Sequence, residues 1–351
     1  MKKTWIGTLQ TASSKRRHGR VRVMREAVAL VILIACLGGC NPNQRSQFID
    51  LGTAPPGGAF FPVGSAIADV LNEHRGEQPW RVQAKGSGGS MENIRRLSSG
   101  EFQLAMSNAA ISYFSLNSEA GWEKSYEVRT VVTMAPNVAL FLTKTDSGIR
   151  QMSDLKGKRV VIGPPGAGFE MFVRPIVEEH GLAWEDLTVL NAEQSRGVDM
   201  LADGAADAVF LGGAIPTASI QQACNNLDIH FIPFDSGVRQ RLADKYPFFE
   251  LATIPQFTER DGKQEPTYRG MTEDFSGLDV GRMHLITYST VDEELIYQLT
   301  KTIWNQREQI AERHPAGRAI NEKNAARMTG VPFHPGAERF YKEIGIWPTG
   351  N

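Results

Sequence analysis

Cysteine is scarce in this sequence: Cys36, Cys40 and Cys224 are the only three among 351 residues. Only Cys224 lies beyond residue 40, so no intrachain disulfide can staple the body of the chain. That body must hold by packing even in an oxidising compartment. Net charge is nearly absent as well. Lys and Arg number 38 against 39 Asp and Glu, leaving −1, which excludes a nucleic-acid binder carried by bulk positive charge. No apolar run exceeds the eleven residues Ala27–Leu37, too few to cross a bilayer core of about 30 Å as a helix. No block of 20–50 residues repeats and no long low-complexity tract occurs. The seven His residues show no His-Glu-x-x-His and no paired metal spacing, so no metal site is expected. Nothing reads as a Gly-x-Ser-x-Gly nucleophile elbow, and His334, inside Pro332-Phe333-His334-Pro335-Gly336, reads as part of a structural turn. What remains is 41% hydrophobic, with 34 Gly and 18 Pro. This composition supports real cores in one large or two ordinary domains, and rules out a disordered tail protein or a collagen-like fibre.

The charge is unevenly spread. Residues 1–39 hold eight bases and one acid, Glu26, so the other 30 bases and 38 acids give −8. A basic stretch ending at Arg25, the apolar run, then Gly38 and Gly39 before Cys40 read as an export signal. Leu37-Gly38-Gly39-Cys40 resembles the bacterial lipoprotein box, in which the Cys is acylated and becomes the new N-terminus. A short membrane anchor is the alternative, and Met24 is a second candidate start. The expected order is a leader over 1–39, lipidation at Cys40 and a polar tether over 40–47. Cys224 then reads as a packed core thiol.

Beyond the tether, strand, glycine-rich turn and helix recur. Strands are expected at 48–51, 81–84, 102–107, 128–132, 138–143, 159–162, 188–191, 206–211, 230–234 and across 278–288. Helices are expected after Ala59, at 90–99 with Ser90 as N-cap, at 169–179, near 194–203 and 216–225, and over 291–312. This alternation predicts an α/β fold with largely parallel sheets, in two lobes joined by more than one crossing. The boundaries are expected at 48–140 plus 275–351 for one lobe and 141–274 for the other. Ligands in such folds sit beyond the carboxyl ends of the strands, here in a hinged cleft.

Three turns, Gly52–Ala59, Gly86–Ser90 and Gly163–Gly168, each end at a helix start. Helix starts leave unpaired N–H groups and about half a positive charge, so they can hold a carboxylate or phosphate without Arg or Lys. Gly163–Gly168 lacks the Gly-Lys-Ser/Thr of a P-loop, and prolines occupy the middle of what would be a dinucleotide fingerprint. No nucleophile–base constellation, and hence no enzyme and no cofactor, is expected.

Gly57-Gly58-Ala59-Phe60-Phe61-Pro62-Val63-Gly64, Gly88-Gly89-Ser90-Met91-Glu92-Asn93, Leu155-Lys156-Gly157-Lys158-Arg159-Val160 with Gly163-Pro164-Pro165-Gly166-x-Gly168, Gly213-x-x-Pro216, and His334-Pro335-Gly336-Ala337-Glu338-Arg339-Phe340-Tyr341 occur in that order. This series resembles the TAXI family, the solute-binding subunits of TRAP (tripartite ATP-independent periplasmic) transporters, over about 48–345. The resemblance implies a type II periplasmic-binding-protein fold and capture of a small organic acid or amino acid. The ligand would then pass to a membrane permease driven by an ion gradient. It also implies ligand contacts at Thr53, Gly57, Gly58, Ala59, Phe60, Ser90, Asn93, Asn108, Gly163, Gly166, Ala167, Gly168, Phe169, Gly213 and Pro216. Ala59, Phe60 or Phe61, Ala109, Ala110, Ala167 and Phe169 stand where family members usually carry hydroxyl or carboxylate groups. Such losses predict a ligand with an apolar portion facing Phe60 and Phe169 while backbone N–H groups hold its carboxylate. A lipid-anchored sensor or adaptor without a permease is the alternative.

Overall fold

The computed structural model describes Met1 and residues 47–55, 59–260 and 262–348. The rest of the leader, Cys40, residues 41–46, Gly57 and Gly58 lie outside the described residues. Phe48–Asn351 is one compact unit. It opens with β1 (Gln47–Gly52), α1 (Phe60–Glu73), β2 (Trp80–Lys85), α2 (Ser90–Ser98), β3 (Leu104–Asn108), α3 (Ala109–Asn117), β4 (Val128–Thr133) and β5 (Val138–Lys144). Next come β6 (Arg159–Val161), α4 (Phe169–Glu179), β7 (Thr188–Leu190), α5 (Gln194–Ala202), β8 (Ala208–Gly213), α6 (Ala218–Asn226), β9 (Ile229–Ile232), α7 (Ser236–Lys245) and β10 (Phe249–Ile254). The chain continues with β11 (Phe257–Arg260), β12 (Lys263–Pro266), β13 (Phe275–Val280), β14 (Met283–Tyr288), α8 (Glu293–Asn305), α9 (Arg307–Arg313) and α10 (Pro335–Glu343).

The first sheet has the order β2-β1-β3-β14-β4, the second β10-β13-β5-β8-β6-β7 with β9 beside β5, and β11–β12 forms a separate hairpin. Both large sheets are mixed, not largely parallel. β1–β3, β6–β7 and β6–β8 are parallel, whereas β14 runs antiparallel to β3 and β4, and β5 antiparallel to β8, β9 and β13. The reversal has a simple cause. Strands that carry the chain from one sheet to the other enter from the opposite end to strands laid down by strand–helix–strand units.

Those crossing strands also change two expectations. Residues 278–288 are not one strand: β13 belongs to the second sheet and β14 to the first, with Gly281 and Arg282 between them. β5 and β13 sit wholly in the second sheet, whose strands therefore span 138–280, not 141–274. The pattern over 291–312 is two helices, α8 and α9, broken at Gln306.

Apolar spacing explains most helices. α1 buries Val63, Ile67, Val70 and Leu71, and Asn72 ties it to β2 by bonding both the N–H and the C=O of Val82. α3 joins the two sheets through its aromatic side chains. The Tyr113 and Phe114 rings lie 5.2 Å from Phe248, which in turn lies 4.7 Å from Phe249 on β10.

Candidate functional site

Thr53, just past β1, is fully buried, and both its N–H and its Oγ1 donate to Lys85 O at 2.8 Å. Asn93 on α2 is equally buried, and its Nδ2 donates to Thr53 O and Met106 O at 2.7 Å. These two side chains lock the ends of β1, β2 and β3 together, and Asn93 Oδ1 is left buried without a hydrogen-bond partner among the described residues. Gly52 is required there, because a Cβ would stand 2.4 Å from the Phe102 ring. Ala59 and Phe60 are half-buried at the margin of the first sheet's core.

The second and third turns meet. Gly89 has φ +112°, and a Cβ on it would lie 3.4 Å from the Ala167 Cβ. Gly168 has φ +91°, and a Cβ there would come within 2.8 Å of Ile111 Cδ1 and 3.0 Å of Met91 Cγ. Turns anchored on different sheets thus touch through backbone, as only glycine at positive φ allows. Gly163 lies under the Phe169 ring, and Gly166 is exposed. Phe169 is half-buried, one side of its ring turned to Phe172 at 5.3 Å. Gly213 ends β8 opposite Val138, and Pro216 is exposed after a cis peptide bond.

Ser90 is not the N-cap of α2. Gly89 holds that position, and the Ser90 hydroxyl oxygen instead accepts from Asn108 N at 3.0 Å. Asn108 is itself the cap of α3. Its Oδ1 accepts from Ala110 N at 2.8 Å and Ile111 N at 3.4 Å, and its Nδ2 donates to Gly281 O at 2.7 Å. Replacing it with Ala removes a cap and a buried bond, for an expected loss of about 2 kcal/mol in urea unfolding. Ile111, which with Met91 touches the third turn, was not singled out in the sequence; nothing marks an apolar contact residue before its partner is known.

The amides at these turns are not all available. Glu92 Oε2 accepts from Gly88 N at 2.7 Å and Ser87 Oγ from Gly89 N at 3.2 Å, so the protein's own carboxylate partly fills the second turn. Ala109 N donates to Arg282 O, which completes the capping of α3. Among the described residues, the amides of Phe60 and Phe61 at α1, and of Phe169 and Glu170 at α4, have no acceptor. Those two helix starts can receive an oxyanion, with the Phe60 and Phe169 side chains alongside.

Two groups beside the crossings have shifted titrations. Burial pushes the Asp279 carboxyl up to about 7, against the pull of Arg282 and the amides of Asn137 and Gly281. Burial pushes His284 down to about 3. Asp279 holds its proton longer when folded, so its contribution to stability falls as pH rises from about 4 to about 7. His284 refuses a proton when folded, so its contribution falls as pH drops from about 6.5 to about 3. The two slopes oppose one another between pH 4 and 6.5. Asp279→Asn is therefore expected to unmask a stability that rises with pH across that window, read as denaturation midpoints at fixed urea.

His334 serves a turn, its Nδ1 accepting from Gly336 N at 3.3 Å while Nε2 faces Val291 O at 3.0 Å. A cavity of about 730 Å³ lies where β5 ends and β9 begins, and there Lys144 and Arg269 are offset by Asp146 and Asp228. Cys224 on its wall is buried, its thiol pushed up to about 12 by desolvation, which makes it inert at neutral pH. Among the described residues no cluster of His, Cys, Asp and Glu could hold a metal ion.

Residues 51–345 match the NMT1-like family. The chain belongs to that family. Its fold is also found in solved structures of low identity. A Xanthomonas citri protein, XAC2383, bound to ATP aligns at TM-score 0.52 and 10% identity, over 85% of this chain and 96% of its own. A binding protein component of an ABC phosphonate transporter from Pseudomonas aeruginosa aligns at 0.51 and 8%, over 77% and 79%. PhnD1 from Prochlorococcus marinus in complex with methylphosphonate aligns at 0.50 and 9%, over 86% and 100%. This NMT1-like protein thus has the two-lobed α/β fold of periplasmic binding proteins, with one sheet in each lobe and the second and third turns in contact.

Proposed function

We propose that this NMT1-like protein is an extracytoplasmic receptor for a small organic acid or amino acid with an apolar portion, and that it acts by binding, without catalysis. The observation that supports the reading is the contact of Gly89 with Ala167 and of Met91 with Gly168, which sets the start of α2 against the turn that leads into α4. The amides of Phe60, Phe61, Phe169 and Glu170, which have no acceptor among the described residues, would hold the anionic group, and the half-buried Phe60 and Phe169 would face the apolar remainder. Thr53, Ser90 and Asn108 act as the frame of the cleft, because their polar atoms bond to the chain, while Asn93 bonds through Nδ2 alone and keeps Oδ1 buried without a partner among the described residues. Closure of the lobes about the crossings would trap the ligand, provided the closed form binds it better.

The ordered motifs shared with the TAXI family support delivery to a TRAP-type permease, with Cys40 as the lipid anchor outside the membrane. Amides do not by themselves distinguish carboxylate from phosphonate oxygens, and phosphonate appears among the ligands of the structural neighbours. Calorimetry should therefore cover glutamate, short dicarboxylates, aryl- and alkyl-bearing acids and methylphosphonate. Tightest binding by an acid with an apolar portion is expected. Exclusive tight binding of glutamate or a short dicarboxylate contradicts the apolar part of the reading, and exclusive binding of methylphosphonate contradicts the carboxylate.

A further inference from the structure

The chain passes between the sheets twice, at 134–137 and at 281–282, and the two crossings are hydrogen-bonded side by side. Met134 N donates to Met283 O at 2.8 Å, Met283 N to Ala135 O at 2.9 Å and Val280 N to Asn137 O at 2.9 Å. Asp279, 1% exposed, bonds both at once, its Oδ1 accepting from Asn137 N at 3.0 Å and Gly281 N at 3.1 Å. Its Oδ2 has no hydrogen bond, and lies 3.6 Å from the equally unbonded Nε of Arg282.

Arg282 reaches in three directions. It donates to Met134 O on the other crossing, to Asn324 Oδ1 on the C-terminal segment and to Glu250 Oε2 on β10 at 3.2 Å. Glu250 then takes a two-pronged bond from Arg327, at 2.8 and 2.9 Å. Arg327 belongs to the first lobe, for its carbonyl accepts from Thr133 Oγ1 on β4 at 2.9 Å. The series Asp279–Arg282–Glu250–Arg327 therefore starts at the buried crossing, enters the second sheet's edge strand and returns to the first lobe. Along it the Glu250 carboxylate is shared between the guanidinium groups of Arg282 and Arg327.

We propose that these four side chains form an ionic strap that fixes the crossings and so sets the angle between the lobes. A surface pair alone contributes little, but here the charges are linked, partly buried and tied to backbone at both ends. The strap also reaches the cleft. Arg282 O and Gly281 O accept from Ala109 N and Asn108 Nδ2, so the crossing positions the start of α3, and Ile111 on that helix abuts Gly168. The consequence for ligand capture rests on the proposed cleft; the strap itself does not. Its residues are positioning residues.

Hydrogen exchange on the whole protein without ligand tests the strap. In Arg327→Gln, the amides of Met134, Val280 and Met283 are expected to exchange at least about tenfold faster, with β3 and β8 unchanged, as local opening requires. Arg327→Lys, which keeps one charge, should stay within about threefold of the parent. Should Arg327→Gln fail to fold, the parent protein in 1 M salt supplies the same readout, because the partly exposed Glu250–Arg327 pair is screened there. Unchanged exchange at the crossings, or a rise spread equally over β3 and β8, would overturn the strap. Neither result bears on whether an acid binds in the cleft.

Discussion

Gly281→Ala is expected to cost about 3–5 kcal/mol of unfolding free energy, combining backbone strain at positive φ with overpacking against a backbone that cannot yield. Gly281 has φ +110°, and a Cβ there would lie 2.5 Å from Asn108 Oδ1 and 2.7 Å from Ala110 N. The neighbouring atom on one side is a helix-capping oxygen and on the other the backbone of α3, so no flexible side chain can move aside. Urea unfolding measures the loss. A change below about 1 kcal/mol would mean that the crossing is looser than its hydrogen bonds imply. The same substitution should release α3, whose cap and first amide both bond to this crossing.

Ala167→Asp is expected to weaken anion binding roughly 100-fold, since two like charges about 5 Å apart at an effective dielectric near 20 repel by about 3 kcal/mol. Ala167 is 5% exposed in the turn that meets Gly89 and immediately precedes the cap of α4. A carboxylate there would compete with the ligand for the same helix start, as Glu92 already competes at α2 by taking Gly88 N. Ala167→Asn has nearly the same shape and no charge, and is expected to stay within about fivefold. Equal losses for Asp and Asn would point to crowding of the turn and against an anionic ligand.

The alternation of strand and helix was legible because most elements bury one face. α1 and α8 carry clear apolar stripes, and β1 to β9 fall where β-prone runs lie. α3 was not legible for a physical reason: Ala109, Ala110, Ile111, Ser112, Phe114 and Ser115 are all buried, so the helix shows no polar face and no period. Its one signal was Asn108, a good N-cap placed before an apolar run. α7 failed oppositely, burying only Val238 and Leu242. The hairpin β11–β12 is exposed and charged, and gives no strand pattern.

At the candidate site, glycine marked the second and third turns, because close approach and positive φ leave few other choices there. Thr53, Asn93 and Asn108 can serve a ligand or a strand end, and their bonds to the chain become visible only in the tertiary fold. The charged strap was invisible for the same reason. Its members are separated by 29, 3 and 45 residues between positions 250, 279, 282 and 327, and none has a local partner pattern except Asp279 and Arg282.

The central claim is that backbone amides, from helix starts in both lobes, grip an acidic solute. Amide chemical-shift mapping during titration with an apolar-bearing organic acid addresses it most directly. The account predicts that the largest saturable shifts fall on the amides of Phe60, Phe61, Phe169 and Glu170. Saturable shifts centred instead on Lys144 and Arg269 in the cavity at the end of β5, with those four amides unmoved, would contradict it.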